Sequence, residues 1–204
     1  CFASAKAFLP VLKEMGVDIV WLMPISPIGV DGRKGTLGSY YSIIDYKAIN
    51  PEFGTMEDFD HFLATAHELG LKVIIDFVPN HVARQYQSDV QPDGTVGLGA
   101  NDDTRYPFSP YNNFYYIPQT PFQGQFDMKA GAEDIYVEFP AKATGNNRFN
   151  AYPSKNDWYE TVKLNYGIDY MNGGICHFDP VPDTWCKMLD ILLFWAGKKI
   201  DGFR

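Results

Sequence analysis

Cysteine is scarce in this chain, with three residues in 204 (Cys1, Cys176 and Cys186) and no CxxC pair among them. That count excludes a disulfide-stapled scaffold and supplies no zinc-type ligand spacing. Positive charge is also short. With 17 Lys and Arg against 25 Asp and Glu the formal net charge is -8, and no basic run appears, so neither nucleic acid nor an anionic membrane surface is expected as a partner. No stretch approaches the roughly 20 apolar residues that a membrane-spanning helix requires. No GxGxxG or P-loop pattern follows any strand-like segment, which removes the usual nucleotide-binding forms of an open α/β sheet. Residue 1 falls inside a helix-like segment, so any export signal is expected upstream of it.

What is present is a globular composition, 46% hydrophobic, laid out in a helix–strand rhythm. Ala5, Leu9, Leu12 and Met15 recur at helical spacing before Gly16, with Pro10 predicting either a kink or a first turn. Residues 18–23 read as a strand buried on both faces. Further on, Thr55 and Asp58 form a capping-box-like start. Met56, Phe59, Leu63, Ala66 and Leu69 then make an apolar stripe, Gly70 a stop, and residues 72–78 a second buried strand. Asp31-Gly32-Arg33-Lys34-Gly35 is not followed directly by a helix, so it reads as a solvated loop and not a phosphate cradle.

From residue 82 to about 181 the rhythm breaks: Gly, Pro, Asn and Asp abound, long periodic segments vanish, and aromatics crowd the stretch from Tyr86 to Tyr159. A structureless loop of that length is improbable in a compact domain, whereas those aromatics can build a small core. The rhythm resumes with Asp183 as an N-cap, a stripe of Trp185, Met188, Leu189, Leu192 and Ala196, and a strand over 199–203. The pattern predicts an α/β fold: a partial TIM (β/α)8 barrel, about strands 2 to 4, with an irregular domain inserted after strand 3. Its parts are then residues 1–81 (barrel), 82–181 (insertion) and 182–204 (barrel). A doubly wound open sheet is the alternative, but polar residues at strand ends favour the barrel, whose sites form at the C-terminal rim.

Two segments carry a specific resemblance. Asp76-Phe77-Val78-Pro79-Asn80-His81 and Asp201-Gly202-Phe203-Arg204 resemble the signature of glycoside hydrolase family 13, the α-amylase superfamily. Gly38-Ser39-Tyr40-Tyr41 ahead of Asp45-Tyr46, and the run Ile49 to Thr55, are similar to further family segments. Val162-Lys163-Leu164-Asn165 resembles the Lys-bearing variant of neopullulanase-like members.

The resemblance implies a retaining glycosidase acting on α-glucans or maltooligosaccharides, with its acid and nucleophile carboxylates ~5 Å apart. It gives Tyr41 a stacking role against the sugar at the cleavage point and His81 a hydrogen bond to the same sugar. Arg204 would keep the nucleophilic carboxylate ionised. Asp76, Asn80, Lys163 and Asn165 would be structural, with Asn80 bracing the inserted domain. The nucleophile itself would fall two residues past Arg204, so the 204 residues alone are expected to be inactive. Many α-amylases place Asp where this chain has Lys163 and bind an interdomain calcium there. An ammonium cannot ligate calcium, so no metal or other cofactor is expected, and a salt bridge from Lys163 is expected in its place. Two alternatives stay open: a transglycosylase of the same family, and a non-catalytic scaffold like the heavy subunits of amino-acid transporters. Intact Tyr41, Asn80, His81 and Arg204 argue against the scaffold.

Overall fold

The computed structural model describes every residue except 89, 91–93, 125–128 and 131–133. Its N-terminal helix is split in two, α1 (Phe2–Lys6) and α2 (Leu9–Glu14), because Pro10 sits in the first turn of α2, where its missing N–H costs nothing. Strand β1 (Ile19–Leu22) follows, then helix α3 (Met56–Glu68) and strand β2 (Lys72–Ile75). The capping box of α3 is formed in full: Thr55 Oγ1 accepts the Asp58 N–H at 3.1 Å, and Asp58 Oδ2 accepts the Thr55 N–H at 2.9 Å. Gly70 ends the helix turn in the left-handed region at φ +70°.

Helix α4 (Asp183–Gly197) leads into β11 (Gly202–Phe203), and β1, β2 and β11 form one parallel sheet in the order β1-β2-β11. One face of this sheet packs on the helices. Val73 and Ile75 are buried there with Phe59, Phe62, Leu63 and Ala66 of α3, Phe2 of α1, and Trp195 of α4. The Trp195 ring meets Phe59 edge-on at 5.6 Å and its Nε1–H donates to the Tyr46 carbonyl at 2.8 Å. The opposite face is open. Ile19 is 56% and Trp21 47% exposed, so β1 is exposed on one face and half-buried on the other, not buried on both as the apolar run implied.

Two further expectations are corrected at α4. Its N-cap is Pro182, while Asp183 is the first helical residue and pairs with Lys187 at 2.8 Å. The buried stripe is Thr184, Met188, Ile191 and Trp195, which leaves Trp185 and Leu189 exposed. The helix is apolar over more than one face, so spacing alone fits two stripes, and Trp195 decides between them by reaching Tyr46 and Phe59.

Between β2 and α4 the chain forms short antiparallel pairs: β3 (His81–Ala83) with β8 (Thr161–Lys163), β4 (Tyr116–Ile117) with β7 (Ala141–Lys142), β5 (Lys129–Ala130) with β6 (Asp134–Ile135), and β9 (Ile168–Asp169) with β10 (Ile175–Cys176). Val82, Phe114, Tyr116, Val162 and Leu164 join the same core as the parallel sheet. The aromatics therefore do not build a wholly separate core. Tyr136 and Tyr159, with Phe122 against them, make only a small satellite. Among the described residues no helix is long and apolar enough to cross a membrane.

The satellite is tied down by charge. Arg84, fully buried, donates from Nη1 to Glu138 Oε1 at 2.6 Å and from Nε to the Tyr159 carbonyl at 2.6 Å, with its guanidinium 4.0 Å from the Phe122 ring centre. Lys142 and the Tyr136 hydroxyl donate to the other Glu138 oxygen. Removing one member strands a buried charge, which costs about 3–5 kcal/mol, whereas replacing the pair by apolar groups of similar volume costs far less. Glu138→Ala is therefore expected to lower unfolding free energy by that amount in urea titration. The Arg84→Met/Glu138→Leu double variant should recover most of the loss.

Candidate active site at the strand ends

Register fixes the rim. Trp21, Ile74 and Gly202 lie side by side across the parallel sheet, so with the two-residue period of a strand Asp76 and Arg204 point to the same face as Trp21. A Cβ on Gly202 would come within 3.3 Å of Ile74, so the smallest residue suits this crossing. Backbone bonds from Arg204 N–H to the Ile75 carbonyl (3.0 Å) and from Phe77 N–H to the Arg204 carbonyl (2.9 Å) carry the pairing to the rim. There Asp76, nearly buried, accepts the Tyr41 hydroxyl at 3.1 Å and Arg204 Nη1 at 3.4 Å. The guanidinium lies over the Trp21 ring, 4.5 Å from its centre. The bond to Asp76 holds the Tyr41 phenol above its usual range, so it stays a donor. Asp76 thus aims Tyr41 and Arg204.

A second group comes from the β3–β8 hairpin, in which His81 is opposite Lys163. Lys163 Nζ donates to Asn80 Oδ1 at 2.6 Å, which leaves Asn80 Nδ2 to donate to the Gly145 carbonyl (2.8 Å) and to His81 Nδ1 (2.9 Å). His81 must then carry its proton on Nε2, which donates to the Tyr41 carbonyl at 3.0 Å. Gly145 has to be glycine: a Cβ there would sit 2.5 Å from Thr161 Oγ1 and 2.9 Å from the His81 ring. Burial lowers the His81 pKa to about 4, the Tyr41 carbonyl opposing and the Lys163 charge adding to the shift. Both ring nitrogens are therefore spent within the protein. His81 positions Tyr41 here and also lines the cleft next to it.

The expectation for Lys163 is corrected. It is only 8% exposed and its partners are the neutral Asn80 amide and the Tyr170 ring, 5.6 Å from Nζ to the ring centre, so the expected salt bridge is absent among the described residues. Burial lowers its pKa. The donor set does not suit calcium, because the ammonium occupies the one Asn80 oxygen that a cation would need. Asn165, fully buried, ties loops instead: Nδ2 donates to the Ser109 carbonyl at 2.8 Å and Oδ1 accepts the Gly167 N–H at 2.9 Å.

Between the two groups lies a cleft of about 250 Å³ lined by Lys34, Ser39, Tyr41, His81, Trp158, Glu160 and Thr161. The loop read as merely solvated contributes to it: the Lys34 N–H donates to Glu160 Oε2 at 2.9 Å. Trp158 and Glu160 were not among the residues the sequence singled out, although they lead directly into the strand that carries Lys163. An open wall with a half-exposed indole, Tyr41 and several hydrogen-bonding side chains suits a polar ligand with apolar ring faces.

The fold and this rim define a (β/α) barrel segment with a site at the C-terminal ends of its strands. The α-amylase catalytic-domain family profile matches residues 7–204, and the chain belongs to that family. It is 30% identical over 210 residues to an alpha-glucosidase of Apis mellifera, covering 98% of this chain and 30% of that protein. It is 31% identical over 206 residues to a trehalose synthase of Pimelobacter sp., covering 100% and 30%. An alpha-amylase structure from Lactobacillus plantarum superposes with a TM-score of 0.61 at 30% identity, covering 100% of this chain and 34% of the other. The chain spans about a third of the length of these relatives.

The neutral His81 has a measurable consequence. Its folded pKa of about 4 lies below the ordinary 6.5, so between those values the unfolded chain binds the proton more readily. Stability is then fully present above pH 6.5, falls as the pH drops toward 4, and levels below it. His81→Gln should flatten that part of the pH profile of the thermal midpoint, and an unchanged slope between pH 6.5 and 4 would show that His81 is not the titrating group.

Proposed function

We propose that this chain supplies the sugar-binding rim of a retaining enzyme acting on α-linked glucans, as part of a longer protein that adds the reacting carboxylates. The observation that carries the reading is the Asp76 hub, which sets Tyr41 and Arg204 on one rim beside a cleft with an aromatic wall. In the proposed mechanism Tyr41 receives the apolar face of a glucosyl ring. Arg204 donates to a carboxylate nucleophile and keeps it ionised, since a guanidinium within hydrogen-bond reach lowers a carboxylate pKa. Its bond to Asp76 is long, at 3.4 Å, and does not saturate the five donors of a guanidinium. A general acid ~5 Å from the nucleophile would complete retention.

Residues 82–181 are proposed as a domain inserted between barrel parts 1–81 and 182–204, and the run of short antiparallel pairs from β3 to β10 supports that division. Hydrolysis and glycosyl transfer share one covalent intermediate and differ in the acceptor. Relatives are named for both reactions, alpha-glucosidase and trehalose synthase, and the sugar contacts offered by Tyr41 and the cleft suit either acceptor, water included.

In the longer protein, release of reducing sugar from maltooligosaccharides is expected, and Tyr41→Ala should cut kcat/KM about tenfold, equivalent to about 1.4 kcal/mol of transition-state stabilisation. Purified residues 1–204 should release none. Full activity in Tyr41→Ala, or turnover by the 204 residues that His81→Ala abolishes, contradicts the assignment.

Calcium dependence at the Asn80 joint is not expected, since the Lys163 ammonium would repel the ion and holds the Asn80 side-chain oxygen. In the longer protein Lys163→Asp should create a calcium response of the thermal midpoint that the wild type lacks at this joint, read as the difference between the two in EDTA and in added calcium. Calcium found bound to Asn80 beside an intact Lys163 would overturn this.

A further inference from the structure

Glu160 is a buried carboxylate on the cleft wall, only 7% exposed. Its main chain is fixed from two sides, because its carbonyl accepts both Ser42 Oγ (3.1 Å) and the Arg84 N–H (3.2 Å). One side-chain oxygen, Oε2, is taken by the Lys34 N–H. The other, Oε1, has no hydrogen-bond partner among the described residues and is not sealed from solvent. The Lys34 ammonium forms no ion pair with it among the described residues, being bound to the Lys155 carbonyl at 2.8 Å and set against the Tyr159 ring. Beside it Trp158, half exposed, presents its ring to the same cleft, 5.3 Å from the His81 ring.

A carboxylate fixed on a cleft wall with one oxygen open to the cleft is a ready acceptor for a ligand donor. A cationic ligand is disfavoured, because Arg33 and Lys34 already act on Glu160 through their charges. A hydroxyl donor carries no such penalty, and an indole next to it suits the apolar face of the ring bearing that hydroxyl.

Resting on the α-glucan reading, we propose that Glu160 is a specificity residue of this enzyme. Its Oε1 accepts hydrogen bonds from the hydroxyls of a glucosyl unit stacked on Trp158, next to Tyr41. The carboxylate selects sugars with a free hydroxyl at that point, and the indole selects the ring that bears it.

The test uses the longer protein and compares wild type with E160Q, E160D and W158A. The glutamine keeps the Lys34 bond through its amide oxygen and turns a neutral NH2 toward the cleft, so the fold is kept and the charge-assisted bond is lost. E160Q should raise KM for maltotriose about tenfold with kcat little changed, the loss of one charged hydrogen bond. Its thermal midpoint should match wild type. Maltose titration of tryptophan fluorescence should show the same drop in affinity, and W158A added to E160Q should cost less than W158A alone, since both act on one sugar unit. Unchanged KM and affinity in E160Q overturn the proposal, as does a loss confined to kcat in both E160Q and E160D. Wild type that neither turns over nor binds maltooligosaccharides overturns the α-glucan reading itself, and this proposal with it.

Discussion

The orientation of one amide sets the polarity of the whole site. Because the Lys163 ammonium donates to Asn80 Oδ1, the Asn80 NH2 has to point at His81, His81 has to accept on Nδ1, and its remaining proton has to go to the Tyr41 carbonyl. Tyr41 in turn donates through its hydroxyl to Asp76, where Arg204 also arrives. The path runs from the hairpin to the ends of two parallel strands without a group that could face either way. A carboxylate at position 163 would reverse the first step and, with it, the tautomer of His81.

Burying that ammonium is expensive, and no carboxylate offsets the cost among the described residues. The compensation is distributed: a short charge-assisted bond to Asn80, the face of Tyr170, and the β3–β8 pairing that fixes Lys163 opposite His81. The cation then does by hydrogen bonding what a bound metal does by coordination, joining the hairpin to the segment that follows β2. It also acts on His81 through space, adding to the burial that keeps the imidazole neutral.

Much of the parallel part was legible because its signals are local. The Thr55–Asp58 box, the stop at Gly70 and the apolar runs of β1 and β2 each depend on residues within a turn or two. The site residues Tyr41, Asp76, Asn80, His81, Lys163 and Arg204 were readable one by one from motifs, and the structure brings them together. What spacing could not convey was which face wins. Helix α4 carries two apolar stripes, and only the distant Tyr46 and Phe59 select Trp195 over Trp185. Likewise β1 reads as uniformly apolar, yet Trp21 is spent on the Arg204 guanidinium and Ile19 stays open. His81 shows the same limit of local signals. A motif names the residue but not its partners, and both nitrogens are claimed by groups 1 and 40 positions away.

Trp158 and Glu160 show where the remaining information lies. They belong to no periodic element, and their importance comes from the loop over 31–41 folding back on them, with Lys34 reaching a residue 126 positions later. Each wall of the cleft is thus held by the other. The loop is fixed by a carboxylate from the hairpin side, while that carboxylate is desolvated by the loop. Tyr41 belongs to the same loop and is also anchored to Asp76, so the cleft width follows from two independent tethers, one at the strand end and one at the hairpin. Such a cleft resists change through its backbone and through Glu160, whose carboxylate is itself one of the tethers, and admits change through Trp158, whose side chain neither tether uses.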